Sequence, residues 1–138
     1  NCMQKVPTEI DAHGSSWPPL WPERLESTPR WLKTSKKSLF GKPADDEMVM
    51  DTEHWRRVVS NSYLTGLGID WGHIRNVMDM NALHGSLNVA LLKAKKSAWV
   101  MNVIPRNAPD TLSSIYEQGL IGVQHDWWVF LLPHLAYF

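Results

Sequence analysis

Apolar and polar residues alternate in blocks through residues 51–127, and the period of the alternation changes from block to block. Trp55, Val58, Val59 and Ser62/Tyr63 recur at helical spacing, which predicts a helix from Glu53 to about Leu64. Asp51 or Thr52 is its expected cap, Glu53 suits the positive end of its dipole, and Gly66 and Gly68 end it. Ile69-Asp70-Trp71-Gly72 reads as a turn, and Arg75–Met80 is a short apolar run broken by Asp79. Met80 to Gly85 is a second turn. Leu87, Ala90, Leu91 and Ala94 then return to helical spacing, and Ala98–Val103 is β-rich. After a loop from Pro105 to Pro109, Asp110 can cap a short helix, Thr111–Gln118, with Leu112, Ile115 and Tyr116 on its buried face and Gly119 at its end. Ile121–Gln124 is the third β-rich run and leads into His125-Asp126-Trp127.

The order is therefore helix, strand, helix, strand, helix, strand. Such alternation predicts an α/β domain with a parallel sheet and right-handed crossovers. Ligands in such sheets bind at the carboxyl ends of the strands. Asp79 falls at the end of the first predicted strand and Asn102 closes the second. This geometry raises the expectation of a nucleoside-containing cofactor.

The flanks have a different texture. Residues 1–50 form a Pro/Trp-rich arm and linker: Trp17-Pro18-Pro19-Leu20-Trp21-Pro22, then Thr28-Pro29-Arg30-Trp31, then a polar Lys42–Glu47 stretch. Prolines at this density oppose helix and central-strand pairing, so the arm is expected to be extended, with its tryptophans pinned onto a neighbouring domain. Residues 128–138 are an almost wholly apolar tail.

Composition narrows the function. Fourteen basic and fourteen acidic residues cancel, so nothing draws the chain toward nucleic acid or an anionic membrane. The single cysteine, Cys2, rules out an internal disulfide framework and a cysteine-rich zinc site. The six histidines make no spaced pair, and no metal site is expected. There is no run of about 18 apolar residues that would span a bilayer, and no signal peptide or other targeting signal. Eight tryptophans point either to a dense core or to a carbohydrate-facing surface.

Candidate chemistry gathers at Asp79-Met80-Asn81-Ala82-Leu83-His84-Gly85. Nucleoside-binding turns use glycine where the backbone must approach the ligand or the next helix, and here only the last position, Gly85, is glycine. Asn102 stands where a carboxylate usually meets ribose hydroxyls, and its amide oxygen can accept without a charge; it reads equally as a turn residue. Asp126 stands where an adenine amino group can be met, or is a turn-forming Asp beside His125. His84 and His125 fall on strand-end loops and could converge, but ordinary surface histidines are the favoured reading. No nucleophile elbow, phosphate loop or Cys/His pair is present, so no catalytic residue is assigned.

Longer phrases carry a resemblance. Val59-Ser60-Asn61-Ser62-Tyr63-Leu64, Gly68-Ile69-Asp70-Trp71, Arg75-Asn76-Val77-Met78-Asp79-Met80-Asn81-Ala82, Trp99-Val100-Met101-Asn102-Val103-Ile104-Pro105, Asp110-Thr111-Leu112 and His125-Asp126-Trp127 occur in that order, with Trp21-Pro22-Glu23-Arg24-Leu25 and Cys2-Met3 upstream. The chain closely resembles the C-terminal half of a plant methyltransferase family, the Golgi-type proteins linked to pectin methylation. The resemblance implies a partial Rossmann-like S-adenosylmethionine-dependent methyltransferase domain, with Asp79, Asn81, Gly85, Asn102 and Asp126 as cofactor-binding residues. It also implies a polysaccharide acceptor, and a luminal, glycosylated protein held in the Golgi membrane by an N-terminal signal-anchor outside this chain. Two stretches depart from the family. Gly85-Ser86-Leu87 replaces its usual Gly-Gly-Phe, and Trp128 to Phe138 replaces a Cys- and Tyr-Pro-Arg-containing continuation.

Two other classes compete. One is a catalytically inactive truncated or scaffold module of the same fold, open along a sheet edge and prone to self-association. The other is a carbohydrate-binding module built on the N-terminal tryptophans.

Overall fold

The structure is a computed structural model. It describes Leu25, Thr28, Pro29, Leu32 and residues 43–126. The arm's tryptophans and the apolar tail lie outside these residues.

The first helix, α1, spans Ala44–Val58 and continues into a π-helical turn, Val59–Tyr63. It begins well before the expected Glu53, and the Lys42–Glu47 stretch read as linker supplies its first turn. The reason is electrostatic and steric. Pro43 at the N-cap loses no helical hydrogen bond, and Asp45, Asp46 and Glu47 face the positive end of the dipole. Thr52 is an interior residue, not a cap: its hydroxyl donates back to the Met48 carbonyl at 2.7 Å. Met48, Trp55 and Val59 form the inner stripe, with Met48 and Val59 buried and Trp55 packed against the core.

After a turn in which Trp71 Nε1 donates to the Tyr63 carbonyl at 2.9 Å, three strands and two helices follow. They are β1 (Asn76–Asp79), α2 (Ser86–Lys93), β2 (Trp99–Pro105), α3 (Leu112–Glu117) and β3 (Gly122–His125). The sheet order is β1-β2-β3, and both pairings are parallel, as the alternation predicts. Asp79 lies opposite Asn102, and Asn102 opposite Gly122.

β2 runs two residues beyond its expected end because Ile104 continues the buried apolar run. Pro105 then closes the strand, where no N–H is required of it. Asn102 is therefore inside the strand rather than at its carboxyl end.

The core has two parts on one face of the sheet. Val59, Leu87, Ala90, Leu91 and Val100 pack α1 and α2 onto β1 and β2, with Trp55, Tyr63, Trp71 and Val77 around them. Ala82, Val89, Ile104, Leu112, Ile115 and Leu120 join α2 and α3 to β2, and Leu25 from the arm closes this cluster. Burying one such Leu or Ile contributes about 1.5–3 kcal/mol. Gly122 lets α3 come this close, since a Cβ there would stand 3.1 Å from Leu112 Cδ2 and 3.2 Å from Ile115 Cγ2. The Tyr116 hydroxyl bridges the same pair of elements, donating to the Gly122 carbonyl at 2.8 Å.

Candidate functional site

The segment between β1 and α2 is short, and several of its backbone groups are held by neighbours. Asp79 ends β1, and its Oδ1 accepts the Asn81 N–H at 3.3 Å, an Asx turn. Met80 and Asn81 stand exposed at the carboxyl end of the strand. The Ala82 N–H then donates to the Val103 carbonyl at 2.9 Å, which draws the chain back over β2. From the other side α3 holds the turn. The Thr111 hydroxyl donates to the Leu83 carbonyl, and Gln118 Nε2 donates to the His84 carbonyl at 2.7 Å.

His84 is fully buried, contrary to its reading as a surface histidine. The apolar neighbours of α3 and the Ser114 hydroxyl give its ring a defined seat. Ser114 Oγ donates its own proton to the Thr111 carbonyl at 2.9 Å, so its 2.9 Å contact with His84 Nδ1 has the ring nitrogen as donor. Burial holds the imidazole below its usual pKa, against a smaller opposing pull from Asp51. The ring is therefore neutral with its proton on Nδ1. Nε2 is a bare acceptor, buried and without a hydrogen-bond partner among the described residues.

Gly85 has φ 76°, in the left-handed region, and is the N-cap of α2. A Cβ there would meet Leu120 Cδ1 at 3.1 Å, Asn102 Oδ1 at 3.4 Å and Ile115 Cγ1 at 3.5 Å. These are atoms of the protein's own interior. The glycine thus serves helix–sheet packing, the third of the three roles glycines play in such turns, rather than approach to a ligand.

Burial raises the Asp79 carboxyl above the usual carboxylate range; the Asn81 N–H lowers it in part, and the nearby Asp51 charge adds to the rise. Asn102 is fully buried, donates through Nδ2 to the Ile121 carbonyl at 2.6 Å, and leaves Oδ1 under Gly85 without a partner among the described residues. Its place inside β2 corrects the strand-end position expected from sequence, and the ribose contact inferred from that position loses its basis. Asp126 follows β3 directly, half-buried, with the Arg106 guanidinium 4.0 Å away. Asp79, Asn81 and Gly85 thus come together in one turn, Asn102 lies beneath it, and Asp126 stands two strands away.

Sequence reasoning missed Thr111, Ser114 and Gln118, which hold the turn, and Asp51, whose charge reaches both Asp79 and His84. Extending the Trp55–Val59 stripe back by one heptad to Met48 would have revealed Asp51 on the inner face of α1. Separately, a cavity of about 210 Å³ opens along α1 and α2, lined by Thr52, Val59, Ser86 and Ala90 among others.

A parallel sheet with its crossover helices on one face, and a glycine-ended turn leading from β1 into α2, is the architecture of a partial Rossmann-like methyltransferase domain. The chain belongs to the plant methyltransferase family whose model, described as "Putative S-adenosyl-L-methionine-dependent methyltransferase", matches residues 1–131. It is 51% identical over 126 residues to "Probable methyltransferase PMT26" of Arabidopsis thaliana, covering 91% of this chain and 15% of that protein. It is 49% identical to "Probable methyltransferase PMT28" and 45% identical to "Probable methyltransferase PMT22" of the same plant, again over 91% of this chain and over 16% and 19% of those proteins. The chain therefore spans about one-sixth of the length of these curated relatives. No solved structure matches it.

Proposed function

We propose that this chain forms the β1–α2 cofactor-binding part of a methyltransferase that uses S-adenosylmethionine and methylates an oxygen of a cell-wall polysaccharide such as pectin. The observation that carries the reading is the β1–α2 turn: an exposed Met80–Asn81 tip at the carboxyl end of a parallel strand, above buried polar groups. These residues fit a nucleoside cofactor. Asp79 and Asn81 offer polar groups at the strand end, and Asp126 offers a carboxylate at the end of β3 for an adenine amino group. When bound, S-adenosylmethionine supplies an electrophilic sulfonium methyl group.

The chain's own residues bind and orient. Thr111 and Gln118 hold the turn backbone in place, so that Asp79 and Asn81 meet a ligand without rearrangement. A uronic-acid carboxylate is already ionised at neutral pH, so an acceptor of that class needs positioning and no general base. The resemblance to Golgi-type pectin-linked proteins supports this acceptor. It also supports a luminal Golgi site for the whole protein, with the membrane anchor contributed by sequence outside this chain.

Titration calorimetry of S-adenosylmethionine into the purified chain tests the cofactor, and transfer of a radiolabelled methyl group to homogalacturonan tests the acceptor. Saturable binding with transfer is the expected result. Absence of binding overturns the cofactor assignment. Binding without transfer favours the scaffold reading.

A further inference from the structure

The cavity of about 210 Å³ between α1 and α2 lies outside the cofactor reading, for no residue of the Met80–Gly85 turn lines it. Thr52 Oγ1 stands 3.4 Å from Ser86 Oγ, and the two helices meet at this contact. They do not fill the rest of the space between them. Ser60, Ala90 and Ala94 bring only short side chains to it, and Val59, Leu64 and Val89 supply an apolar wall. An unusual piece of backbone shapes that wall. Val59–Tyr63 is a π-helical turn, in which the Leu64 N–H donates to the Val59 carbonyl at 3.0 Å and the Leu67 N–H to the Ser62 carbonyl at 2.8 Å. Such turns are rare and occur frequently at functional sites. This one sets Val59 and Ser60 on the cavity.

The charged side chains at the cavity are of one sign. Among the described residues Arg56 and Lys93 line it, and no Asp or Glu does. Lys93 is engaged in interactions of its own. Arg56 gives Nε and Nη2 to Glu53, at 2.8 Å each, and Glu53 also accepts Arg57 Nε at 2.9 Å. One carboxylate is thus shared by two guanidinium groups, and the triad keeps a surplus positive charge. The Arg56 side chain is exposed, so it stands at the opening of the cavity rather than in its depth. An apolar wall with a guanidinium at its opening fits an amphipathic anion, and arginine meets a carboxylate through directed, charge-assisted N–H bonds. An apolar cavity of about 150 Å³ holds a benzene-sized molecule, so this one admits a chain of about six carbons. We propose that the cavity between α1 and α2 binds the aliphatic chain of a short carboxylate, with the head group on Arg56. The site does not depend on the S-adenosylmethionine assignment; it is a second ligand site, built on the helical layer.

The test titrates the full chain with sodium hexanoate, sodium acetate and hexan-1-ol, followed by ligand-detected nuclear magnetic resonance. Hexanoate is expected to bind roughly tenfold or more tighter than acetate, because its longer chain is buried. It is expected to bind about tenfold tighter than hexan-1-ol, as one charge-assisted contact allows. Arg56→Gln, a change at an exposed position, is expected to remove the advantage over hexan-1-ol and leave hexan-1-ol binding unchanged. Ala90→Leu fills the cavity and is expected to abolish binding of both six-carbon ligands. Hexanoate that binds no tighter than acetate overturns the proposal. So does equal binding of hexanoate and hexan-1-ol, which would make a neutral apolar group, such as a partner's side chain, the occupant. Hexanoate binding that survives Ala90→Leu puts the ligand elsewhere and overturns it too. Should Ala90→Leu not fold, the wild-type and Arg56→Gln titrations decide alone. These outcomes read the same whether or not the chain binds S-adenosylmethionine.

Discussion

A side chain at position 85 would have to adopt φ 76° and push against Leu120, Ile115 and Asn102 at once. Left-handed backbone costs a non-glycine residue about 1–2 kcal/mol, and overpacking a core adds about 1–3 kcal/mol. Gly85→Val is therefore expected to lose about 2–5 kcal/mol of unfolding free energy in urea titration, and Gly85→Ala less. The Val variant is expected to lose ligand binding only as far as it loses the fold. Asp79 makes a prediction of the opposite sign. Its folded-state pKa is raised above 3.8, so the folded form binds more protons than the unfolded form once pH climbs past that value. Stability from this residue is present at low pH and is lost as pH rises through the folded pKa. Asp79→Asn should accordingly be more stable than wild type at pH 7, with the two curves converging below about pH 3.8. Denaturation measured in steps from pH 3.5 to 7 checks it; a gap that widens toward acid would contradict it.

At the scale of elements, α3 is a short helix that does much of the work of holding the site. It covers β2 and β3, seats His84, and reaches the turn through Thr111 and Gln118. Its anchor to β3 is the Tyr116 hydroxyl on Gly122. Tyr116→Phe removes one hydrogen bond and is expected to cost about 1 kcal/mol in stability, read as an earlier urea midpoint with an unchanged slope. The elements themselves were largely legible. All three strands and the helices at Ser86 and Leu112 fall within two residues of the periodicity reading, because their apolar repeats are short and bounded by Gly, Pro and Asp. The misses have physical causes. Before Met48 the start of α1 offers only Ala44 as an apolar residue, too little for a periodic stripe, so dipole and proline chemistry mark it. Asn102 was read as a strand end because a polar residue interrupts the run, yet its amide is satisfied on one side by Ile121 within the sheet. The burial of His84 depends on Ser114 and Gln118, far along the chain, and no local pattern encodes that contact.

At the scale of the whole molecule, the layers are uneven. The helices α1, α2 and α3 cover the face that carries Val77, Val100 and Ile104. The alternate residues Met78 and Trp99 lie on the other face and are 58% and 47% exposed. Apolar surface of this kind on a sheet whose outer strands are β1 and β3 favours contact between copies. A Met78→Lys, Trp99→Lys double variant is expected to sediment as a smaller species than wild type at equal concentration. Identical sedimentation would show that this face takes no part in association.

Each strand of this sheet pairs with the strand next along the chain. Each pairing closes a single helical crossover, Asn76 meeting Trp99 and Asn102 meeting Gly122, so its sequence separation is the least a parallel pair allows. Among the described strands, none has to wait for a partner from a distant part of the chain. During synthesis the unit can therefore grow in the direction the ribosome delivers it. β1, α2 and β2 can close first, and β3 then adds to an edge that is already formed.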